Sequence, residues 1–192
     1  MEGNSMETIK TEGALNVLSL EDSMPDFEII RNHLINAGFN LNFSHVDTEN
    51  DFSFALRSNR FDIIIADFSL PGFNAFAALK LCKAICPMTP FICVSGSIGE
   101  ETAIELIKQG AVDYILKDRL GRLSSAIKRA LDEAKEKEIR LKAEKELLAK
   151  MDELQRFHDL TVGRELKMIE LKKEINELLK ELGRKEKFKI VE

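Results

Sequence analysis

Three observations predict an α/β protein built on a doubly wound, five-stranded parallel sheet and followed by a long C-terminal helical extension. Short apolar runs alternate with segments of helical periodicity between residues 14 and 133, the pattern of strands joined by helical crossovers. The runs at 16–20, 61–66 and 90–94 are mostly apolar, as central strands buried on both faces must be, whereas 41–46 alternates with polar residues like an edge. From about Leu120 the period becomes that of one long, highly charged helix.

Each element follows from local signals. The first strand, 16–20, runs into Glu21-Asp22. Met24-Pro25-Asp26 then starts a helix through about Ala37, with Ile29, Ile30, His33, Leu34 and Ala37 at helical spacing and Gly38 as its stop. Strand 41–46 leads to Asp47-Thr48, a cap for a helix carrying Phe52, Ala55 and Leu56. The third strand, 61–66, delivers Asp67 to a Pro71-Gly72 turn. The third helix carries Phe76, Leu79, Lys80, Cys82, Lys83 and Ile85 and stops at Pro87. Strand 90–94 ends before Ser95. Gly99-Glu100-Glu101 opens a helix with Ala103, Ile104 and Ile107 on its face, ended by Gln109-Gly110, and the fifth strand is 112–116. Helical crossovers make the strands parallel and right-handed. An edge position for the second strand gives the flavodoxin-like order 2-1-3-4-5, in which ligands bind beyond the carboxyl ends of the strands near the reversal of order.

Residues 1–13 are polar and are expected to lack fixed structure, and 14–133 form the domain. Residues 134–162 read as a helical linker or coiled coil, and 163–192 as an amphipathic helix and tail. Leu147, Met151, Leu154, His158 and Thr161 fall at alternating four- and three-residue steps. Met168, Leu171, Ile175, Leu178 and Leu182 form a cleaner seam, with Thr161-Val162-Gly163 as the expected interruption between the two. A charged helix with one apolar stripe needs a partner through 135–182, most simply a second copy and otherwise a helix of another partner.

Composition narrows the function classes. The 192 residues are 44% hydrophobic and 32% charged, above the usual ~25%, with a net charge of -5 that offers nucleic acid no global attraction. No helix-turn-helix pattern or zinc-ligand set is present. No apolar run approaches the ~20 residues that cross a bilayer, and the N-terminus lacks a cationic start and apolar stretch, so the expectation is a cytoplasmic protein without membrane or nucleic-acid partners. Cys82, Cys86 and Cys93 are odd in number and read as small core residues.

The chemistry lies at the strand ends. Glu21 and Asp22 follow the first strand, Asp67 the third, Ser95 the fourth and Lys117 the fifth, so one edge of the sheet collects carboxylates, a hydroxyl and an ammonium. With this set, residues 14 to about 133 resemble the receiver domain of two-component response regulators. The resemblance implies that Asp67 is the phosphoacceptor of a histidine kinase or phosphotransfer protein. It implies that Glu21, Asp22, Asp67 and the backbone carbonyl of Ser69 hold Mg²⁺, and that Lys117 and Ser95 bind the phosphoryl oxygens. Ser95 and Tyr114 fall at the switch positions. The physics agrees: clustered carboxylates repel unless a cation sits among them, and Mg²⁺ is a hard ion that prefers oxygen. Phosphoryl transfer is mainly positioning plus electrostatics. The family usually has proline after its lysine, whereas Asp118 follows Lys117 here.

The expected function is therefore a phosphorylation-controlled receiver with output through the helical extension. It would label and dephosphorylate itself at Asp67 and carry no separate catalytic domain. The alternative is a receiver-like scaffold that no longer turns over phosphate and dimerises through its C-terminal helices. A flavin mononucleotide protein of the same topology is disfavoured because Glu21-Asp22 would repel phosphate where its first loop must cradle it. His158-Asp159 is similar to the histidine-acid pair of kinase dimerisation helices, but without the usual nearby proline or a following ATP-binding segment it reads as a seam or surface histidine.

Overall fold

The computed structural model describes residues 13–96, 99–185 and 187–189. The segment expected to lack structure, 1–13, lies outside them except for Gly13. In chain order the elements are β1 (Leu15–Leu20), α1 (Met24–Asn36), β2 (Leu41–Val46), α2 (Glu49–Ser58), β3 (Ile63–Ala66), β4 (Ser69–Leu70) and β5 (Phe73–Asn74). They continue with α3 (Ala75–Ile85), β6 (Phe91–Ser95), α4 (Glu100–Lys108), β7 (Asp113–Leu116), a 3₁₀ stretch at Lys117–Arg122 and α5 (Leu123–Glu181). The five-stranded sheet has the order β2-β1-β3-β6-β7 with every pair parallel. The two-residue strands β4 and β5 form a separate antiparallel hairpin that the sequence reading did not include. Without that hairpin the order is the predicted 2-1-3-4-5.

Strand alternation divides the core between the two faces of the sheet. Leu18, Leu20, Ile64, Phe91 and Cys93 face Phe52 of α2 and Leu79 of α3. Val17, Ile63, Ile65, Ile92 and Val94 face Ile30 and Leu34 of α1 and Ile127 of α5. With both faces covered, β3 and β6 are buried throughout their length and β1 over its last four residues, which accounts for their mostly apolar runs.

Local chemistry sets the helix ends. Ser23, Thr48 and Asn74 cap α1, α2 and α3, each accepting a hydrogen bond from the backbone N–H three residues on. α1, α4 and α5 all end in the same paired motif. In α1 the Gly38 N–H donates to the Ile35 carbonyl and the Phe39 N–H to Leu34, with Gly38 at φ +87°, a backbone conformation that glycine adopts without penalty.

The observed faces differ from the expected ones in two helices. α1 buries Phe27, Ile30 and Leu34, one stripe at steps of three and four, while Ile29 lies off that stripe and Ala37, the C-cap beyond the last helical residue, is exposed. α4 buries only Leu106 and leaves Ile104 and Ile107 in solvent, because a nine-residue helix presents a single narrow line to the sheet. β3 begins at Ile63 rather than Phe61.

The chain separates into two compact units, the first ending at Glu138 and the second starting at Ile139. Within the second, α5 is continuous through Thr161-Val162-Gly163, against expectation. A single glycine costs a helix only ~1 kcal/mol, and the Thr161 hydroxyl is satisfied by the Phe157 carbonyl at 2.8 Å. One register of alternating three- and four-residue steps therefore runs from Leu147 through Leu154, Phe157, Thr161 and Met168 to Leu171, Ile175, Leu178 and Leu182. Phe157 occupies the seam that His158 was expected to share. After Gly183 the tail returns to Asn176, whose side chain accepts from the N–H groups of Lys187 and Phe188 and donates to the Phe188 carbonyl at 2.7 Å.

Candidate functional site

The carboxyl ends of β1, β3, β6 and β7 bring five of the predicted residues, Glu21, Asp22, Asp67, Ser95 and Lys117, to one edge of the sheet. β1 and β3 are neighbours, and the Asp67 N–H donates to the Leu20 carbonyl at 2.8 Å, so the residues just after these strands are held side by side. One carboxylate oxygen from each of Glu21, Asp22 and Asp67 lies within 4.8 Å of the others. Glu21 is buried at 1% exposure, Asp67 is half-buried and Asp22 is exposed.

Lys117 reaches back across this cluster. Its Nζ lies 2.8 Å from Glu21 Oε2, 3.4 Å from Asp67 Oδ2 and 2.7 Å from Asp26 Oδ2. Burial pushes the Glu21 and Asp67 carboxyls above their usual pKa, and the nearby Lys117 ammonium only partly offsets it. Burial works against the charge on Lys117 as well, but its hydrogen bond to Asp26 and its ion pairs with Glu21 and Asp67 outweigh that and hold its pKa above the ordinary lysine value.

The three clustered groups supply hard oxygen donors, more negative charge than one lysine neutralises, and a Glu21 Oε2 that meets Lys117 without hydrogen-bond geometry. That chemistry suits a small divalent cation. Ser69, the expected carbonyl donor, opens β4 two residues after Asp67.

Ser95 ends β6 and is buried, in register with Leu116, the residue before Lys117. Tyr114 lies on β7, and its hydroxyl is enclosed without a hydrogen-bond partner. Burial raises the pKa of that hydroxyl. The Lys117–Asp118 peptide is trans, like every other described peptide bond, and the chain passes directly into the 3₁₀ stretch.

Two residues at the site were missed by the sequence reading. Asp26 was read only as part of a helix start. The signal that could have found it is its position in the first turn of α1, which necessarily begins at the end of the sheet where β1 delivers Glu21. The other is His45 on β2, whose Nε2–H donates to the Glu21 carbonyl at 2.6 Å while its ring packs at a tilt against Phe27, centroids 4.6 Å apart. No sequence spacing marks a contact made between neighbouring strands. His158, by contrast, is exposed on α5.

The model of the response regulator receiver domain matches residues 17–128, more than half of the chain. The transcriptional regulatory protein ZraR of Salmonella typhimurium is 27% identical over 125 residues, which are 65% of this chain and 28% of that regulator. The DNA-binding transcriptional regulator NtrC of the same organism is 32% identical over 81 residues, 42% of this chain and 17% of NtrC. The chain thus matches less than a third of the length of these relatives. A receiver domain from Clostridium thermocellum superposes with a TM-score of 0.55 at 26% identity, covering 63% of this chain and 97% of that one. The receiver domain of a putative Luxo repressor from Vibrio parahaemolyticus gives 0.59 at 23%, covering 66% and 97%. No helix among the described residues is long and apolar enough to cross a membrane. Fold, site and family agree: the chain belongs to the response regulator receiver domain family.

Proposed function

We propose that the chain works as a phosphorylation-controlled receiver in which Asp67 accepts a phosphoryl group from a phosphohistidine of a kinase or phosphotransfer protein. The convergence of Glu21, Asp67 and Lys117 on one point carries the reading. In the transfer an Asp67 carboxylate oxygen attacks phosphorus, the P–N bond breaks, and the imidazole leaves with its electron pair. Water later attacks phosphorus, the bond from phosphorus to the Asp67 oxygen breaks, and inorganic phosphate leaves as the carboxylate is restored. Lys117 holds charge on the phosphoryl oxygens, and the Ser95 hydroxyl donates to them. Glu21, Asp22 and Asp67, with the Ser69 carbonyl, would hold Mg²⁺, which when bound offsets negative charge on the transferred group. The two half-reactions at Asp67 are the only catalysis in this reading.

Output passes by protein contact. Enclosing the Tyr114 hydroxyl without a partner costs about 1–3 kcal/mol, so this side chain has alternatives close in energy, and Ser95 movement toward a phosphoryl group shifts the balance between them. The apolar line on α5 is the contact surface, with Leu154 at 68% and Phe157 at 70% exposure, and it fits a two-stranded coiled coil between copies. One solved neighbour is described as a beryllofluoride-activated NtrC4 receiver domain dimer, which supports a dimer here by analogy.

The test is intact-mass measurement after incubation with acetyl phosphate and Mg²⁺, with and without EDTA. Wild type gains one phosphoryl mass only when Mg²⁺ is free, and Asp67→Asn gains none. Undiminished labelling of Asp67→Asn would sink the assignment. A wild type that never gains mass leaves the non-turning-over scaffold as the better reading.

A further inference from the structure

At the opposite end of the sheet from the acidic cluster, the last turn of α3 brings two thiols together. Cys82 is buried, Cys86 is the half-buried C-cap of the helix, and their sulfurs are 3.6 Å apart. Residues four apart on a helix have Cα atoms about 6 Å apart, inside the range that a disulfide spans. A side-chain rotation therefore suffices to close the remaining distance.

The surroundings divide the labour between the two sulfurs. Cys82 points toward acceptors, the Thr89 carbonyl at 3.8 Å and the Cys86 carbonyl at 3.9 Å, with the Cys86 sulfur nearest of all. Either sulfur can donate in that contact, and Cys86 is the more accessible of the two. That bond pushes the Cys86 pKa down to about 7. The same bond, with burial, drives the Cys82 pKa well above the ordinary thiol value. Cys86 also lines an open groove of about 820 Å³, together with Arg57, Phe61, Pro87 and Leu131, so a small molecule can reach it. Cys93 lies buried in β6, its pKa pushed up to about 12, chiefly by burial.

We propose that Cys86 is a thiol-modification site for small hydroperoxides, with Cys82 as its resolving partner. The Cys86 thiolate attacks one peroxide oxygen; the S–O bond forms, the O–O bond breaks, and the departing hydroxide or alkoxide takes up a proton. Sulfur is oxidised by two electrons to a sulfenic acid while the peroxide is reduced. Cys82 then attacks the Cys86 sulfur; the S–S bond forms, the S–O bond breaks, and the Cys82 proton leaves with the hydroxide as water. The second step is the slower one, because the Cys82 thiol gives up its proton reluctantly. The disulfide ties the last turn of α3 to the Pro87 loop that leads into β6. This site stands independently of the phosphoacceptor reading.

The full chain is treated with hydrogen peroxide, quenched, denatured and alkylated with N-ethylmaleimide, and its mass and peptides are read. Untreated protein takes three alkylations. Treated protein takes one, on Cys93, with Cys82 and Cys86 joined in a single chain. Cys82→Ala leaves Cys86 as a sulfenic acid that dimedone captures, and in Cys86→Ser both remaining thiols still alkylate. Three alkylations on treated wild type would overturn the proposal, as would a disulfide between chains or unchanged oxidation in Cys86→Ser. Native wild type supplies a second measure that needs no variant. In the folded chain Cys86 alkylates faster than the buried Cys82 and Cys93; equal or slower alkylation of Cys86 refutes the reactive site.

Discussion

Replacing Asp26 by Asn should accelerate phosphorylation of Asp67. Lys117 has three anionic partners, and Asp67 is the most distant, at 3.4 Å against 2.7 Å for Asp26 and 2.8 Å for Glu21. To bind a phosphoryl oxygen the ammonium must weaken a nearer bond, and Asp26 is not one of the clustered carboxylates that could hold the metal. An exposed ion pair contributes roughly 0.2–1 kcal/mol and a buried one more. With side-chain exposures of 18% for Lys117 and 36% for Asp26, the pair falls between the two cases. A value of about 1 kcal/mol corresponds to about fivefold, since 1.4 kcal/mol is tenfold. Asn keeps a neutral hydrogen-bond acceptor but removes the charge, so labelling by acetyl phosphate should quicken by about that factor. Mg²⁺ affinity, followed in the same protein, should change little. An unchanged or slower rate would refute the reasoning, because it would mean that Asp26 anchors Lys117 in its working position rather than competing for it.

Three further outcomes follow from the same geometry. Glu21 and Asp67 have raised pKa values in the folded chain, so between about 4 and those values the folded state holds more protons and stability falls as pH rises. Glu21→Gln should therefore raise Tm at neutral pH without Mg²⁺, with the gain shrinking as pH falls through that window; a gain that is constant or grows on acidification contradicts it. Tyr114→Phe should hold or raise Tm, because it removes a buried hydroxyl that has no partner, and a clear loss in calorimetry would show that the hydroxyl is bonded. Leu171→Glu with Leu178→Glu should convert a full-chain dimer to monomer in sedimentation, while an undiminished mass would remove the seam as the pairing surface.

The sheet was legible because its signals are local. β3 and β6 carry nearly unbroken apolar runs, β1 a mostly apolar one, and Thr48 is an ordinary cap, so strand and helix identity needed no tertiary knowledge. Glu21, Asp67 and Lys117 were legible for a related reason: each follows directly from a strand, and a parallel sheet aligns all its carboxyl ends. The details that escaped depend on contacts made across the fold. Ile104 and Ile29 look like core residues in sequence, but a helix's buried line is chosen by the sheet beneath it. Gly163 reads as a breaker, yet one glycine is a small penalty against the rest of a 59-residue helix. Asp26 joins the site only because Lys117, ninety-one positions along the chain, reaches the first turn of α1.

The same sheet also explains why the unfavourable groups gather where they do. Its two faces are filled by apolar side chains with no ionised group among them, and that burial is the main source of stability. At the carboxyl edge the local rules are broken together: Glu21 is buried at 1% exposure, Glu21 and Asp67 resist ionisation, and the Tyr114 hydroxyl has no partner. Ionised groups in such surroundings cost several kcal/mol each unless paired, and one lysine shared among Glu21, Asp26 and Asp67 cannot pair all three. A fold selected for stability alone would replace Glu21 with an apolar residue, as at Leu20 beside it. The retained acids make this edge respond strongly to any added charge, positive or negative, while the packed faces hold the strands, and hence the distances between those acids, fixed.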